Sequence, residues 1–382
     1  MRYTNLSGIA ALATVLANGV SAVPAVAGGS GSGIQVPCDT TALTTAIATA
    51  PAGSTLVLAR HCTYHLTAAY SSDDGLPPVD RQLTIEGRDA TIVRDGLTAG
   101  AFRIFHVTST GALRLDDITI RGGNSPDNGG GILVDDSGML KLNKVTLDNN
   151  TAVSQGGGVY AGFGATAYIT RSEFTFNNSG FSGGGLQSEG AVTADGVEFA
   201  RNFAASDGGA IYHGSGDDVY RNTTLKNNTS GAEAGGLDVE AGTVQFINSK
   251  ILNNTTTGSN GGGIYNDASL TLIKTEVSGN VLGGSDGNGG GIYDGGGSSL
   301  VLQNSSVHHN SANGSGTSQG GGIYSHDATV TLDHSQVNDN ASTVAPGGVW
   351  TDTQFTVNRS EIRNNIPTNC DGSPVIVTGC VG

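Results

Sequence analysis

Charge is scarce in this chain, and basic charge scarcer still. Only 13% of the 382 residues are charged, 18 Lys and Arg against 33 Asp and Glu, for a formal net charge of −15. Beyond Lys144 the basic residues are Arg171, Arg201, Arg221, Lys226, Lys250, Lys274, Arg359 and Arg363, spread singly. A nucleic-acid or anionic-membrane surface needs clustered basic charge, so neither partner is expected. No sustained 3.6-residue apolar periodicity runs through the chain, and glycine interrupts every segment, which excludes a helical repeat. Past residue 27 no stretch is long and apolar enough to span a bilayer. Aromatics make up only 5%, with a single Trp, so where they gather matters. The four cysteines show no C-x-x-C or Cys/His metal spacing. Cys38 and Cys62 lie near one end of the mature chain and Cys370 and Cys380 at the other, so local disulfides, 38–62 and 370–380, are expected.

Glycine, by contrast, is abundant at 61 residues, without a collagen period. It gathers in a stretch written repeatedly, most plainly as Gly261-Gly-Gly-Ile-Tyr-Asn-Asp267. Variants are centred on Gly131, Gly158, Gly185, Ala210, Gly236, Gly263, Gly291, Gly322 and Gly348, 25 to 31 residues apart. Each unit continues with two further short β-type runs, such as Leu270-Thr-Leu272 and Ser306-Val307, with inward Ile, Val and Leu. Three short strands per repeat of this length predict an all-β, single-stranded right-handed parallel β-helix of about twelve coils. The glycine runs precede strands rather than helices, so they are expected to supply positive φ at a corner and not to bind phosphate. A second marker, Asn150, Asn202, Asn228, Asn254, Asn280, Asn310, Asn340 and Asn365, with Ser179 as the exception, predicts an amide ladder between stacked coils.

The ends differ from the repeats. Arg2, the apolar run Ile9–Val26 and Ala25-Val-Ala27 read as an export signal over residues 1–27. Residues 28–36 read as a linker and 37–79 as an N-terminal cap. Within that cap Asp39 starts a short helix, Thr40–Ala48, with Leu43 and Ile47 on one face. The β-helix is expected over 80–365 and a disulfide-closed cap over 366–382. Such a chain is expected to be secreted and monomeric.

These coils resemble the right-handed parallel β-helices of the pectate-lyase-like superfamily. The pairing of Gly208-Gly-Ala-Ile211 with Phe199-x-x-Asn202 resembles the repeats of polymorphic outer-membrane proteins, over roughly residues 80–369. Those proteins are adhesins exported through a C-terminal β-barrel, and this chain stops at Gly382 without one, so surface anchoring by that route is not expected. A cleavable signal, cysteine-closed ends and Gly-rich coils are also similar to secreted β-helix proteins of actinobacteria.

Strand alternation places candidate chemistry on one face. If Ile264 points inward, Tyr265 and Asp267 point outward. One outward column is then Leu133, Tyr160, Gln187, Tyr212, Asp238, Tyr265, Tyr293, Tyr324 and Trp350. A second is Asp135, Gly162, Glu189, Gly214, Glu240, Asp267, Gly295, His326 and Asp352. Aromatic faces beside carboxylates suit a sugar chain, and nine coils give a face about 40 Å long. The same tyrosines and acids also read as a stabilising ladder and a solubilising surface. Tyr212, Tyr265, Tyr293, Tyr324, His326 and Trp350 are the candidate substrate-binding residues for a polysaccharide or cell-surface glycan.

Glu240, Asp267 and Asp238 are the candidate catalytic residues. Glu240 and Asp267 stand one coil apart, about 5 Å, the separation of a retaining glycosidase pair. Asp238 and Glu240 are about 6.7 Å apart along one strand, within the inverting range. No cofactor motif is present, although this cluster leaves Ca²⁺ possible. The cluster is loosely similar to the three-acid sites of polygalacturonase-type hydrolases, whose Asn-Thr-Asp and Arg-Ile-Lys signatures are missing. His213-Gly214 and Asp217-Asp218 echo such pairs in the wrong order. A lyase would need Tyr212, Tyr265 or His213 as base, so hydrolysis is favoured over elimination. The alternative is a non-catalytic adhesin or cell-envelope structural protein. The longest loops, Val281–Asn288 and Ala312–Gln319, are expected to wall a cleft beside Tyr293, Asp294, Tyr324 and His326.

Overall fold

The computed structural model describes residues 33–96 and 100–381. The expected export signal, residues 1–27, and most of the expected linker lie outside the described residues. One compact unit, Ile34–Gly382, holds every element described below.

Each repeat forms one turn of a parallel solenoid, about eleven turns rather than the twelve expected. A three-residue strand follows the glycines, as in Ile264–Asn266, and stacks into a 10-stranded sheet. A five-residue strand such as Ser269–Ile273 and a three-residue strand such as Glu276–Ser278 stack in a 22-stranded sheet. A two-residue strand, as in Val281–Leu282, builds a 9-stranded sheet. This fourth strand per coil is shorter than sequence alternation can reveal. Single left-handed residues turn the corners, for example Lys274 (φ 50) between the two strands of the 22-stranded sheet.

Glycine supplies the remaining corner. Gly261 takes φ 67, and a Cβ on Gly262 would stand 2.3 Å from the Gly290 carbonyl oxygen of the next coil. The glycines are therefore scaffold, as expected.

Inside, like stacks on like. Ile211, Leu237, Ile264, Ile292 and Ile323 are fully buried in one column, and Phe174–Phe199 and Tyr220–Phe246 stack at 4.4 and 4.6 Å. Along one corner runs an amide ladder, Asn150–Asn177–Asn202–Asn228–Asn254–Asn280–Asn310–Asn340–Asn365–Asn369. Each Nδ2 donates to the next Oδ1 at 2.9–3.0 Å. The ladder has no gap at Ser179. Phe174 is the inward residue of that coil and Phe176 is half exposed, so the Asn three residues past the inward one is Asn177. The left-handed residue is the one before each rung, such as Asn253 (φ 54), rather than the rung itself.

At the N-terminal end, Asp39 caps the helix Thr40–Thr49 by accepting from the Ala42 N–H at 2.7 Å, and Leu43 and Ile47 cover the first layer. Residues Ile34–Val36, expected in the linker, form a strand paired with Leu56–Leu58. The strands Ser54–Leu58 and Thr63–Leu66, placed in the cap by sequence, already stack on Gln82–Arg94. Cys38–Cys62 and Cys370–Cys380 are both disulfides, with Cα atoms 5.6 and 6.3 Å apart. No helix among the described residues is long and apolar enough to cross a membrane.

Candidate functional site

The 10-stranded sheet fixes the outward column. Its parallel register pairs Leu133 with Tyr160, then Gln187, Tyr212, Asp238, Tyr265, Tyr293, Tyr324 and Trp350. The second column stacks beside it through backbone bonds such as Glu240 N–H to His213 O and Asp267 N–H to Val239 O.

From Tyr265 onward the rings form a continuous stack. Tyr265–Tyr293, Tyr293–Tyr324 and Tyr324–Trp350 lie 5.0, 5.4 and 4.2 Å apart and within 13° of parallel. This spacing is essentially the coil rise of about 4.8 Å, so neighbouring rings cover one another. The expectation of open C–H stacking faces is therefore corrected: a sugar ring cannot enter between these rings, which offer edges and hydroxyls instead. Burial raises the phenol pKa values, which keeps the hydroxyls protonated; Tyr293 is pushed up to about 12, with Tyr324 and Asp267 adding to the burial effect. Tyr265 rises through burial, the Glu233 charge and the hydrogen bond it donates to Asp267 Oδ2 at 2.9 Å. Tyr212 rises through burial and the charges of Glu240 and Asp238.

At the far end, exposed His326 places Nδ1 2.5 Å from Asp352 Oδ2, and its ring sits 6.3 Å from that of Trp350. Burial would raise the Asp352 carboxyl, but the Asp327 N–H and His326 outweigh it and hold the carboxyl below its usual range.

The aromatic column breaks at Asp238, as the sequence indicated, but not as a reachable catalytic group. Asp238 is 0% exposed, and neither carboxylate oxygen accepts from an N–H or hydroxyl donor among the described residues, its polar neighbour being the Glu240 carboxyl. Burial holds its pKa well above the usual carboxylate range, and Glu240, Asp207, Glu233 and Asp267 push the same way. Direct contact between Asp238 and substrate is thus ruled out by its cover. Glu240 is exposed, yet desolvation by its surroundings and then Asp267, Glu233 and Asp207 raise its pKa. Asp267 is half buried.

Two members of this cluster escaped the sequence reading. Asp207 and Glu233 stand just before the glycines, in a column with Gln155, Ser182, Asn260, Asn288 and Gln319 set by bonds such as Gly183 N–H to Asp207 O and Gly208 N–H to Glu233 O. The signal was available: they are the acids in a column otherwise largely of amides. Asp207, Glu233 and Asp238 bring carboxylate oxygens within 4.8 Å of one another.

Two other candidates turn inward. His213 is 0% exposed, its Nδ1 3.0 Å from Asp218 Oδ2, and Asp218 also accepts from Tyr220 Oη at 2.9 Å and the Val192 N–H at 2.7 Å. It cannot serve as a base on the face. Asp294, expected to line the cleft, is also 0% exposed. Burial pushes its pKa up to about 7, against hydrogen bonds from Ser298 Oγ and Asn266 Nδ2. The two long loops stack on each other, Thr317 donating its N–H to Asp286 Oδ1 at 3.1 Å.

Near the N-terminal end the pre-glycine edge and the two outward columns enclose a depression of about 430 Å³ lined by Asp127 and Asn128, by Leu133 and Tyr160, and by Asp135 and Asp136.

A family model for the right-handed β-helix region matches residues 103–282. Among solved structures, the chain is similar to tailspike protein 3 of bacteriophage CBA120, at 12% identity and a TM-score of 0.42, over 88% of this chain and 59% of that one. The chain thus spans less than two thirds of that protein's length. No curated protein matches the sequence.

Proposed function

We propose that the face carrying the tyrosine column binds an extended extracellular polysaccharide or cell-surface glycan lengthwise. One observation carries this reading: two outward columns run side by side, one holding the stacked Tyr265, Tyr293 and Tyr324 and the other holding Asp135, Glu189, Glu240, Asp267 and Asp352. Protonated Tyr hydroxyls donate and carboxylates accept, which is the pairing a row of sugar hydroxyls needs. The coil rise of about 4.8 Å is close to the advance per sugar of an extended polymer, so one coil serves about one sugar. An acid-lined face favours neutral sugars over uronates. Disulfides persist in oxidising compartments, and we place the protein outside the cell. The resemblance of the coils to the pectate-lyase-like superfamily and to polymorphic outer-membrane repeats belongs to the same proposal.

The test is a panel of neutral polysaccharides measured by isothermal titration calorimetry. Tyr293→Phe with Tyr324→Phe keeps the ring stack and removes two hydroxyls. It is expected to weaken binding about tenfold, from two lost hydrogen bonds. Equal affinity in the double variant would refute the assignment.

A second reading, glycoside hydrolysis, is favoured by one contrast. Glu240 reaches solvent with a raised pKa, as a proton donor requires, while the Tyr265 hydroxyl anchors Asp267 one coil away. Glu240→Gln is then expected to reduce reducing-end release by about 10³-fold or more while binding survives. Binding with no turnover in the wild type removes this reading and leaves the adhesin alternative, which uses the same face.

A further inference from the structure

We infer that Asp207, Glu233 and Asp238 form a binding site for one hard divalent cation, Ca²⁺ by preference. The inference does not depend on the polysaccharide reading. The three residues arrive from two separate parts of the fold. Asp238 is the central residue of the strand Leu237–Val239, while Asp207 and Glu233 sit at the pre-glycine corners of successive coils. Each position is set by parallel pairing with neighbouring coils, so the carboxylates converge on a rigid scaffold.

Their geometry suits a single ion. Ca²⁺ takes oxygen ligands at about 2.3–2.6 Å, so two oxygens on one ion stand at most about 5.2 Å apart. The three carboxylates meet that limit, with ligand atoms within 4.8 Å of one another. Mg²⁺ binds at about 2.0–2.1 Å, demands a stricter octahedron and gives up its waters reluctantly, so a set made of protein carboxylates suits Ca²⁺ better. Three carboxylates supply up to six oxygens, close to a Ca²⁺ shell. Second contacts hold two of the ligands in place: Ser206 Oγ donates to Asp207 Oδ2 at 2.7 Å, and Ser259 Oγ and Asn260 Nδ2 donate to Glu233 Oε1 at 3.3 and 3.4 Å. Such outer contacts orient metal-binding carboxylates.

A separate observation points to a ligand rather than to a mere collection of acids. Asp238 is completely buried, and neither of its oxygens accepts from an N–H or hydroxyl donor among the described residues; the one side chain within hydrogen-bond reach is another acid, Glu240. A buried carboxylate is ordinarily satisfied by donors or by a cation. Among the described residues none of Asp207, Glu233 and Asp238 forms an ion pair with Lys, Arg or His. A divalent cation answers the two orphaned oxygens and the mutual repulsion together, whereas a single proton on Asp238 leaves Asp207 and Glu233 uncompensated.

The experiment uses full-length protein stripped with chelator, titrated with CaCl₂ and, separately, MgCl₂ by calorimetry, with melting curves in chelator and in excess Ca²⁺. The expected result is one Ca²⁺ per chain, Ca²⁺ preferred over Mg²⁺, and a melting temperature raised by about 2 °C or more. Asp238→Asn is expected to weaken Ca²⁺ at least tenfold and to melt no lower than the wild type in chelator, since it removes a buried charge. Glu233→Gln, at a half-buried corner, gives the same loss of affinity should the first variant fail to fold. No saturable Ca²⁺ binding by the wild type, or undiminished affinity in the variants, overturns the site. Glycan binding by the stripped protein is scored separately, so either proposal can fail alone.

Discussion

Asp218→Ala is expected to destabilise the protein by about 3–5 kcal/mol, because it breaks a buried charge pair and strands the groups it served. Asp218 is 1% exposed and stands inside the solenoid, where it accepts from His213 Nδ1, the Tyr220 hydroxyl and the Val192 N–H. Removing the carboxylate leaves all three donors in a space closed to water. A sign test accompanies the magnitude. Burial alone would lower the His213 pKa, but the Asp218 hydrogen bond and charge, with the nearby carbonyls of Gly216 and Ala241, outweigh it and leave the pKa raised. The pair's contribution is thus fully present below the unfolded histidine value of about 6.5, and it fades as pH rises through the folded value. Without Asp218 the buried imidazole has no counter-charge, and stability is expected to fall on acidification instead. Urea unfolding between pH 5.5 and 9 reads both effects. A loss below about 1 kcal/mol, or an unchanged pH slope, would show that the interior pair is incidental.

Asn254→Ala comes next, with an expected loss of about 3–5 kcal/mol. Asn254 Oδ1 accepts both the backbone N–H and the Nδ2 of Asn228, at 3.0 and 2.9 Å. Its own Nδ2 donates to Leu225 O at 3.1 Å and to Asn280 Oδ1 at 3.0 Å. Alanine therefore leaves two donors and two acceptors short in a fully buried corner, each costing about 1–3 kcal/mol before relaxation. Asn254→Asp is the sharper control. It keeps an acceptor for Asn228 but places a carboxylate against two oxygens, and it is expected to be at least as damaging near neutral pH. Equilibrium unfolding with unchanged m-values decides the matter. If alanine is tolerated within about 1 kcal/mol, the ladder is ornament rather than support.

What could be read beforehand follows from period and parity. Ile264 in and Tyr265 out is a two-residue alternation, and the sheet register reproduces the Tyr and acid columns as stacked. The same parity places the third residue of each strand inward, so His213 and Asp294 were legible as interior groups had the alternation been carried one step further. Asn177 was hidden by chemistry: Phe174 and Phe176 are alike in sequence, and only packing decides which one turns inward. Glu233 stands five residues before Asp238, the offset that also separates Asp207 from Tyr212 and Asn260 from Tyr265, so the column was legible in the repeat. The convergence of its acids on Asp238 depends on side-chain direction, which spacing does not give. The burial of Asp238 depends on groups from neighbouring coils, and composition cannot reveal such cover. Orientation of the aromatic rings was equally out of reach, because a column of tyrosines is compatible with open faces or with faces closed by one another.

The ladder has a direction. Every rung points its carbonyl toward the N-terminal side and one amide hydrogen toward the next rung on the C-terminal side, the other returning to a backbone carbonyl of the preceding coil, so the rung-to-rung bonds run head to tail. Each polarises the next, as in a chain of hydrogen bonds in a low-dielectric interior. Such a line needs a terminator of opposite character at each end, as a helix does. Both are present: the Gly123 N–H meets the first Oδ1, on Asn150, at 3.0 Å, and the Val381 carbonyl receives the last Nδ2, on Asn369, at 2.7 Å. The tail beyond the final coil thus acts as an electrical stop for the whole array, which gives the Cys370–Cys380 loop a purpose distinct from covering apolar side chains.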